Sequence, residues 1–370
     1  MVAIAKNDEL KRVIDEEGNI VKGARPPDIA DEELRKIYRT LLQVRVVDER
    51  MMRLQRQGRL GFYMQSTGEE ATHLAVAALR PSDWVFPSYR EPGAAFYRGY
   101  ELEQFIAQLY GNAADPIKGR QMPVHHSMNW INYVSISSPV GTQIPQATGM
   151  AMAAKIQGKD DVAIVYFGEG ATSTGEFHVG ANFAGVFKAP VIFLCRNNGW
   201  AISTSADRQT AAKTFASKAV GYGMPGIRVD GNDVLALYQA TADAAERARA
   251  GDGPTFIEAL TYRVHGHSSS DDPSVYRDPD EPKRWQQADP LARFQRYLGK
   301  KKLWTPEWEE ALRTEFDQAI TVAHDKVANL PPPDVETLFD DVFEELPSHL
   351  REQKEWLMAQ PRTKSPHYFH

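Results

Sequence analysis

The first regular pattern of hydrophobic positions begins shortly after a pair of prolines in the N-terminal part of the chain. Between Leu34 and Val44, apolar residues recur every three or four positions, which is the spacing of one buried face of an α-helix. Asp31 can cap the start of this helix, and Gly58 can end it. The prolines and glycines in front of it break any regular element, so residues 1–30 are predicted to form an arm.

Two short, unbroken apolar runs lie in the middle of the chain, VAIVYF at Val162–Phe167 and VIFLC at Val191–Cys195. Neither alternates between apolar and polar residues, as expected for strands that are buried on both faces of a parallel sheet. The segment Phe177–Phe187 between them has helical apolar spacing, which predicts a strand–helix–strand unit with a right-handed crossover. Further elements are predicted as a strand at Ile227–Val229, an alanine-rich helix at Val234–Ala250 and a strand at Thr255–Tyr262.

These patterns together predict an α/β fold in which a mostly parallel sheet is flanked by helices. The sequence from Pro282 onward is charged and helical in pattern, which predicts a helical C-terminal extension. We therefore expect an N-terminal arm at residues 1–30, a main domain at residues 31–345 that is helical after about residue 282, and a C-terminal tail at residues 346–370.

Charge and composition disfavour some classes of binding partner and indicate a cellular compartment. The 370 residues include 43 basic and 49 acidic side chains without a long basic run, which disfavours nucleic acid and anionic membranes. The segment Gln121–Ala154 lacks charged side chains but is rich in hydrogen-bonding ones, so it is not a membrane span and favours burial beside a polar site or a partner subunit. The single cysteine, Cys195, indicates a reducing compartment, and the N-terminus has no signal or transit pattern. A cytoplasmic location is expected.

Unusual polar residues follow the two clearest strands. The first strand runs into Gly168-Glu169-Gly170, and the second runs into Asn197-Asn198. Ligands of open parallel sheets bind at the carboxyl ends of the strands, and glycines let the backbone approach a phosphate closely. A carboxylate oxygen, an amide oxygen and two phosphate oxygens suit an octahedral Mg²⁺ site. The hypothesis is a cation that attaches a diphosphate to the edge of the sheet.

Each of these features also has an ordinary structural explanation. A Gly-Xaa-Gly turn after a strand is common, and Asn-Asn-Gly is a frequent turn sequence. The two together, at consecutive strand ends, are a stronger signal than either alone. A dinucleotide-binding fold is the competing phosphate site, but Ser173 stands where its motif requires a third glycine, and the next strand ends in asparagine rather than an acid.

The residues around these strand ends resemble a known family. Gly168-Glu169-Gly170 followed by Asn197-Asn198 is similar to the thiamine diphosphate motif that begins G-D-G and ends N-N, and residues 168–204 resemble the alpha subunit of the E1 component of 2-oxo acid dehydrogenase complexes. The resemblance covers roughly residues 30 to 345 and includes GFYMQSTGEEATHLA, DWVFPSYREPG, KGRQMPVHH, SISSPVGTQIPQATG and YRVHGHSSSDDPSVYR. Three features are similar to the branched-chain enzymes of this family. One is the glutamate that replaces the commoner aspartate in Gly-Glu-Gly, and the others are the SSPVGTQIPQ and HSSSDD segments.

The resemblance also implies a thiamine-diphosphate-binding fold and the residues of its site. Mg²⁺ would be held by Glu169, Asn198 and the carbonyl of Trp200. Further contacts to the cofactor would come from Tyr89, Arg90, Ser138, Val140, Gly168, Gly170, Ala171 and Arg196. A potassium ion, as in the branched-chain enzymes, would take Ser137, Thr142 and Gln143, although a plain turn would use the same residues.

Among the histidines, the resemblance assigns a catalytic and cofactor-binding role to His267. It lies in a Gly/Ser-rich loop after a predicted strand, and an imidazole that titrates near neutrality can donate to a developing charge or to a phosphate. A lone histidine in a loop would otherwise be expected in solvent. We interpret His265 as structural, and His125 and His126 as weaker candidates for contact with the cofactor.

The implied activity is that of a 3-methyl-2-oxobutanoate dehydrogenase: oxidative decarboxylation of branched-chain 2-oxo acids and transfer of the acyl group to a lipoyl group of the E2 partner. The family's activating carboxylate belongs to the beta subunit, which implies an α2β2 heterotetramer. The small-residue run Gly149–Ala154 is a candidate for the subunit interface. The alternatives are a pyruvate or acetoin dehydrogenase alpha subunit, a non-catalytic scaffold and an NAD-dependent oxidoreductase.

Overall fold

The computed structural model describes residues 9–361, so residues 1–8 of the predicted arm and residues 362–370 of the predicted tail lie outside the described residues. The helices span Asp31–Arg56 (α1), Glu70–His73 (α2), Pro92–Tyr97 (α3), Leu102–Tyr110 (α4), Gln143–Ile156 (α5), Gly175–Phe187 (α6), Val234–Arg249 (α7), Glu281–Trp285 (α8), Pro290–Lys300 (α9), Pro306–Val327 (α10) and Ser348–Met358 (α11). The strands span Leu10–Lys11 (β1), Trp84–Phe86 (β2), Ala163–Gly168 (β3), Val191–Asn197 (β4), Trp200–Ala201 (β5), Thr204–Ser205 (β6), Gly226–Asp230 (β7) and Thr255–Leu260 (β8). Within this part of the chain, no helix combines the length and apolar character needed to cross a membrane.

One sheet of six strands forms the centre of the fold, in the order β1-β7-β8-β4-β3-β2, and all its pairings are parallel. Successive residues of the central strands enter two different cores: Ile164 and Ile192 pack on the side of α1 and α7, whereas Val165 and Phe193 pack on the side of α5 and α6. Both faces of these strands are therefore covered, which explains their unbroken apolar runs. The predicted α/β fold, a mostly parallel sheet flanked by helices, is confirmed.

The limits of most predicted elements lie within a few residues of the observed ones, but two details differ. Asp31 is the first residue of α1 and not its cap; Ala30 holds the cap position, and no side chain caps this end. The acids of the first turn, Asp31–Glu33, instead lie near the positive end of the helix dipole. The strands β1 and β2 were not predicted, because two or three residues carry no recognisable period.

The N-terminal arm is held against the sheet by a buried carboxylate. Asp233 Oδ2 accepts hydrogen bonds from the backbone N–H groups of Val13 and Ile14 at 2.6 and 2.8 Å. Its Oδ1 accepts from the backbone N–H groups of Leu235 and Ala236, both at 3.1 Å, and so caps α7. One side chain therefore joins the arm to the helix that follows β7.

Replacing Asp233 with alanine is expected to lower the free energy of unfolding by about 3 kcal/mol or more, since the loss of one member of a buried, charged network leaves its partners uncompensated. Four backbone donors lose their acceptor, and the fully buried Arg293 loses a carboxylate 3.7 Å from its Nη2. Thermal unfolding of the assembled protein measures the effect, with Asp243→Ala on the exposed face of α7 as the control. Equal unfolding midpoints in the two variants would contradict the anchoring role.

The small-residue run proposed for a subunit interface lies on α5, and part of it is used within this chain. An added Cβ at Gly180 of α6 would lie only 2.8 Å from Ile144 Cγ2, and the Thr148 hydroxyl donates to the Gly180 carbonyl at 3.1 Å. Gly149 and Ala153, in contrast, are exposed. The close packing of α5 against α6 thus explains some of the small residues, and the exposed ones remain available to a partner.

Candidate active site

The ends of β3 and β4 meet at one edge of the sheet. Gly168, the last residue of β3, pairs with Arg196 of β4, and Glu169 begins a short 3₁₀ turn immediately after β3. Asn198 directly follows β4. Both polar side chains are buried, and both line one cavity of about 320 Å³. The structure therefore brings together the carboxylate and the amide that the sequence pattern singled out.

The wall of this cavity is built from loops that follow several strands. It contains all the residues predicted to contact the cofactor except Ser138, together with Thr174, Arg263 and residues 200–202 of the hairpin formed by β5 and β6. The lining residues are Tyr89, Arg90, Val140, Gly168, Glu169, Gly170, Ala171, Thr174, Arg196, Asn198, Trp200, Ala201, Ile202, Arg263 and His267.

Glu169 is only 1% exposed, and burial raises the pKa of its carboxyl group. The side chain of Gln209 opposes this effect, because its Nε2 donates to Glu169 Oε1 at 3.1 Å. A bound cation would also favour the ionised carboxylate. The Glu169 carboxyl group is therefore expected to be ionised when a cation or a hydrogen-bond donor lies beside it.

The amide of Asn198 has a defined orientation. Its Nδ2 donates to Glu69 Oε1 at 2.8 Å, and its Oδ1 accepts from the backbone N–H of Trp200 at 3.0 Å. An ionised carboxylate can only accept hydrogen bonds, so the amide nitrogen of Asn198 must face Glu69. The amide oxygen then faces the backbone N–H of Trp200. Oδ1 retains a second lone pair for a cation. The Trp200 carbonyl, the third predicted Mg²⁺ ligand, accepts from Arg263 Nη1 at 3.3 Å.

Two buried arginines at the cavity wall are paired with buried glutamates. Glu69 lies between them, with Oε2 3.5 Å from Arg90 Nε and Oε1 3.0 Å from Arg196 Nε. Arg196 also forms an ion pair with Glu91. Burial alone would raise the pKa of Glu69, but Arg196 and Arg90 outweigh it and the net effect is a lowered pKa. Glu69 is therefore ionised at neutral pH, and the guanidinium groups offer fixed donors to an anionic ligand.

His267 lies at the same wall beside Arg90. Arg90 Nη2 is 3.4 Å from His267 Nδ1 and donates to the His267 carbonyl at 2.6 Å. A guanidinium can only donate, so Nδ1 is assigned as the acceptor and Nε2 as the protonated nitrogen of the neutral ring. Burial, with Arg90 and Arg263 nearby, lowers the pKa of His267 to about 4. The expectation that it titrates near neutrality is wrong; at pH 7 the ring is a neutral N–H donor.

The two weaker histidine candidates do not line the cavity. His125 is buried, and its Nε2 is 2.7 Å from the hydroxyl of the exposed Ser138. His125 Nδ1 is 3.1 Å from the carbonyl of Pro123, so Nδ1 carries the proton and Nε2 accepts from Ser138. His126 stacks on Phe105, and burial lowers its pKa to about 3. His125 thus reaches a predicted cofactor contact only through Ser138.

The three positions suggested for potassium lie on one loop and the start of α5, outside the cavity lining. The Thr142 hydroxyl donates to the Pro139 carbonyl at 3.0 Å, and Gln143 Nε2 donates to the Tyr166 carbonyl at 2.9 Å. Ser137 is half-buried. The first bond lies within a turn and the second ties the start of α5 to β3, and neither requires a cation. The potassium site stays a prediction.

Three residues of the site were not found by sequence reasoning. Glu69, Gln209 and Arg263 contact Asn198, Glu169 and the Trp200 carbonyl, respectively. Each is far along the chain from the residue it contacts, and no spacing pattern connects them. Glu69 lies inside the quoted GFYMQSTGEEATHLA segment, where the adjacent pair Glu69-Glu70, its only acidic residues, was the available signal.

Comparison with known proteins decides the family. The family model described as "Dehydrogenase E1 component" matches residues 38–336, which is most of the chain. The chain belongs to the dehydrogenase E1 component family. Proteins of this E1 family depend on thiamine diphosphate.

Curated relatives of this E1 chain share the same printed name. The chain is 45% identical over 359 residues to the 2-oxoisovalerate dehydrogenase subunit alpha, mitochondrial, of Mus musculus and of Homo sapiens, covering 96% of this chain and 81% of each relative. It is 42% identical over 345 residues to the 2-oxoisovalerate dehydrogenase subunit alpha 2, mitochondrial, of Arabidopsis thaliana, covering 93% of this chain and 73% of the relative. The predicted resemblance to branched-chain E1 alpha subunits is confirmed, and the alternatives are not favoured. An alpha subunit of this kind implies a beta partner.

The prediction of a cytoplasmic location for this E1 chain is wrong. The relatives described above are all named as mitochondrial. The prediction depended on a single buried cysteine, Cys195, and on an N-terminus without a transit pattern. A reduced thiol in an apolar strand distinguishes oxidising from reducing surroundings, but it does not distinguish one reducing compartment from another.

Proposed function

We propose that this chain is the alpha subunit of a branched-chain 2-oxo acid dehydrogenase E1 component, which decarboxylates branched-chain 2-oxo acids oxidatively and transfers the acyl group to lipoyl groups of E2. The observation that carries the proposal is the meeting of Glu169 and Asn198 at adjacent strand ends, in one cavity with Arg90 and His267. The relatives named 2-oxoisovalerate dehydrogenase subunit alpha support the substrate class.

We propose that Glu169, Asn198 and the Trp200 carbonyl hold Mg²⁺. A carboxylate, an amide oxygen and a carbonyl are hard oxygen donors, which Mg²⁺ prefers. Within residues 9–361 no cluster of three or more His, Cys, Asp or Glu side chains is arranged to hold a metal, so diphosphate oxygens would complete the shell. Gly170 lets the turn that bears Glu169 pack closely against the β5–β6 hairpin that bears Trp200, because an added Cβ there would lie 2.7 Å from Ala201 Cβ. A K⁺ ion on Ser137, Thr142 and Gln143 is a further part of the proposal.

The diphosphate would be bound by Arg90 together with Tyr89, with Arg196 behind them. Arg90 is 2% exposed and held by Glu69, so its donors are oriented before the ligand arrives. The backbone of Gly168 and Ala171 would border the phosphates, whereas Val140 and Ser138 would contact the ring region.

Thiamine diphosphate, when bound, supplies the electron sink that accepts the electron pair released by decarboxylation. The chain's own residues bind and orient. His267 presents a neutral Nε2–H at the cavity wall, where it can stabilise negative charge on a reacting oxygen or on a phosphate. Arg90 donates to the ring Nδ1 and to the backbone carbonyl of His267. The direction of the Nε2–H group is therefore fixed before substrate binds.

The beta subunit would complete the site in an α2β2 heterotetramer. The cavity volume lies at the lower end of the range for ligand sites of about 300–1,000 Å³, and Val140 in its lining is exposed. Helix α6 also exposes large apolar side chains, including Val179, Phe183 and Val186. Clusters of exposed apolar side chains on helices are typical of subunit contacts. This supports a beta partner.

The substrate class is tested by combining this chain with its beta partner, Mg²⁺ and thiamine diphosphate. We expect kcat/KM for carbon dioxide release from 3-methyl-2-oxobutanoate to exceed that for pyruvate by about tenfold or more, because an apolar pocket gains that much from additional methyl groups. The chain without its beta partner is the control and should be inactive. Equal or faster reaction with pyruvate or acetoin would contradict the branched-chain assignment and leave the family assignment unchanged.

A further inference from the structure

Gln209 connects the two segments that carry the proposed metal ligands. It follows a 3₁₀ turn at Ala206–Arg208, directly after the β5–β6 hairpin that contains Trp200. Its Nε2 donates to Glu169 Oε1 at 3.1 Å and to the Thr204 carbonyl at 3.0 Å. The two N–H groups of this amide therefore join the segment that bears Glu169 to the β5–β6 hairpin.

The orientation of this amide is determined by its partners. Both partners accept hydrogen bonds only, so the nitrogen of Gln209 must face them, and a reversed amide would place an oxygen against the carboxylate. The remaining oxygen, Oε1, is buried without a hydrogen-bond partner among the described residues. It lies 3.8 Å from the position of an added Cβ at Gly170, in the packed layer between the turn and the hairpin.

The unpaired oxygen makes Gln209 a costly choice for stability alone. A buried amide oxygen without a partner costs about 1–3 kcal/mol, and an apolar side chain of the same shape would avoid that cost. What the glutamine supplies is a donor to Glu169. The Gln209 amide reaches this carboxylate from a position 40 residues further along the chain.

We propose that Gln209 is a positioning residue for the cation site, which fixes Glu169 Oε1 so that the carboxylate is oriented to serve as a ligand of the cation. The inference rests on the proposed function, since it gives Glu169 the role of a metal ligand. Partners that orient a metal ligand commonly contribute about 10- to 100-fold to metal affinity. Gln209 acts through Glu169 and the hairpin and touches neither substrate nor reacting atoms.

The test compares Gln209→Met with the wild type in the assembled complex. Methionine is similar in length and has no donor. With thiamine diphosphate present, we expect the Kd for Mg²⁺, measured by calorimetry, to rise about 10- to 100-fold. Saturating Mg²⁺ should restore cofactor binding. The thermal unfolding midpoint without cofactor should change little, because the loss of the donor to Glu169 and to the Thr204 carbonyl is offset by removal of the unpaired oxygen.

The control is Gln239→Met on α7, where a glutamine of similar chemistry donates to the exposed Asp243. It should leave the affinity for Mg²⁺ unchanged. If Gln209→Met does not fold, Gln209→Ala is measured in the same way. Wild-type affinity in a folded variant, or an equal loss in the control, would overturn the inference. A wild-type complex that binds thiamine diphosphate without any need for Mg²⁺ would instead contradict the proposed function.

Discussion

Replacing Glu169 with alanine is expected to abolish Mg²⁺-dependent binding of thiamine diphosphate while leaving the protein folded. Loss of a direct ligand should cost more than the ~10- to 100-fold that is typical of residues behind the ligands. Folding should survive, because Glu169 is 1% exposed and burial raises its pKa, so the fold gains little from its charge. Calorimetry of the assembled complex with cofactor, with and without Mg²⁺, measures the loss.

Glu176→Ala is the matched control, since Glu176 is an exposed acid in the first turn of α6, a few residues further along the same segment. It should bind cofactor as the wild type does. A Glu169→Ala complex with normal Mg²⁺-dependent binding would remove this side chain from the metal site, and with it the main support for a diphosphate at this edge of the sheet.

For His267→Ala we expect a folded complex that retains cofactor but transfers acyl groups to a lipoyl acceptor about 10²- to 10⁴-fold more slowly, the usual range for a positioned proton donor. His267→Gln should lose less, because its amide can supply an N–H in place of Nε2. The pKa lowered to about 4 means that the ring is neutral above about pH 5. Protonation of the ring as the pH falls through 4 removes this neutral form, so its contribution should be constant between pH 6 and 8.

The readouts are the rate of lipoyl acylation and the NMR titration of the histidine in the cofactor-free complex. His265→Ala is the control, since His265 lies in the same loop but outside the cavity lining. Unimpaired acyl transfer in His267→Ala would exclude the donor role. An ionisation of His267 near pH 6.5 in the cofactor-free complex would show that its surroundings differ from those described.

The main features of the site could be predicted because they depend on local pattern. Unbroken apolar runs identify buried parallel strands, and the ends of such strands meet at one edge, so Glu169 and Asn198 were expected to be neighbours. The ionisation state of His267 could not be predicted, since it depends on Arg90 and Arg263, which arrive from other parts of the fold. The same holds for Gln209, whose role follows from a hairpin too short to show a period.

The strands at the two ends of the sheet have a consequence for solubility. Exposed edge strands offer unpaired N–H and C=O groups that can recruit strands of other molecules, which leads to aggregates and fibrils. Here β1 has only two residues, and the free side of β2 is already occupied, because Val85 exchanges backbone hydrogen bonds of 2.8 and 2.9 Å with Asn132 and Val134. Within residues 9–361, neither end of the sheet therefore provides a template for strand-by-strand polymerisation.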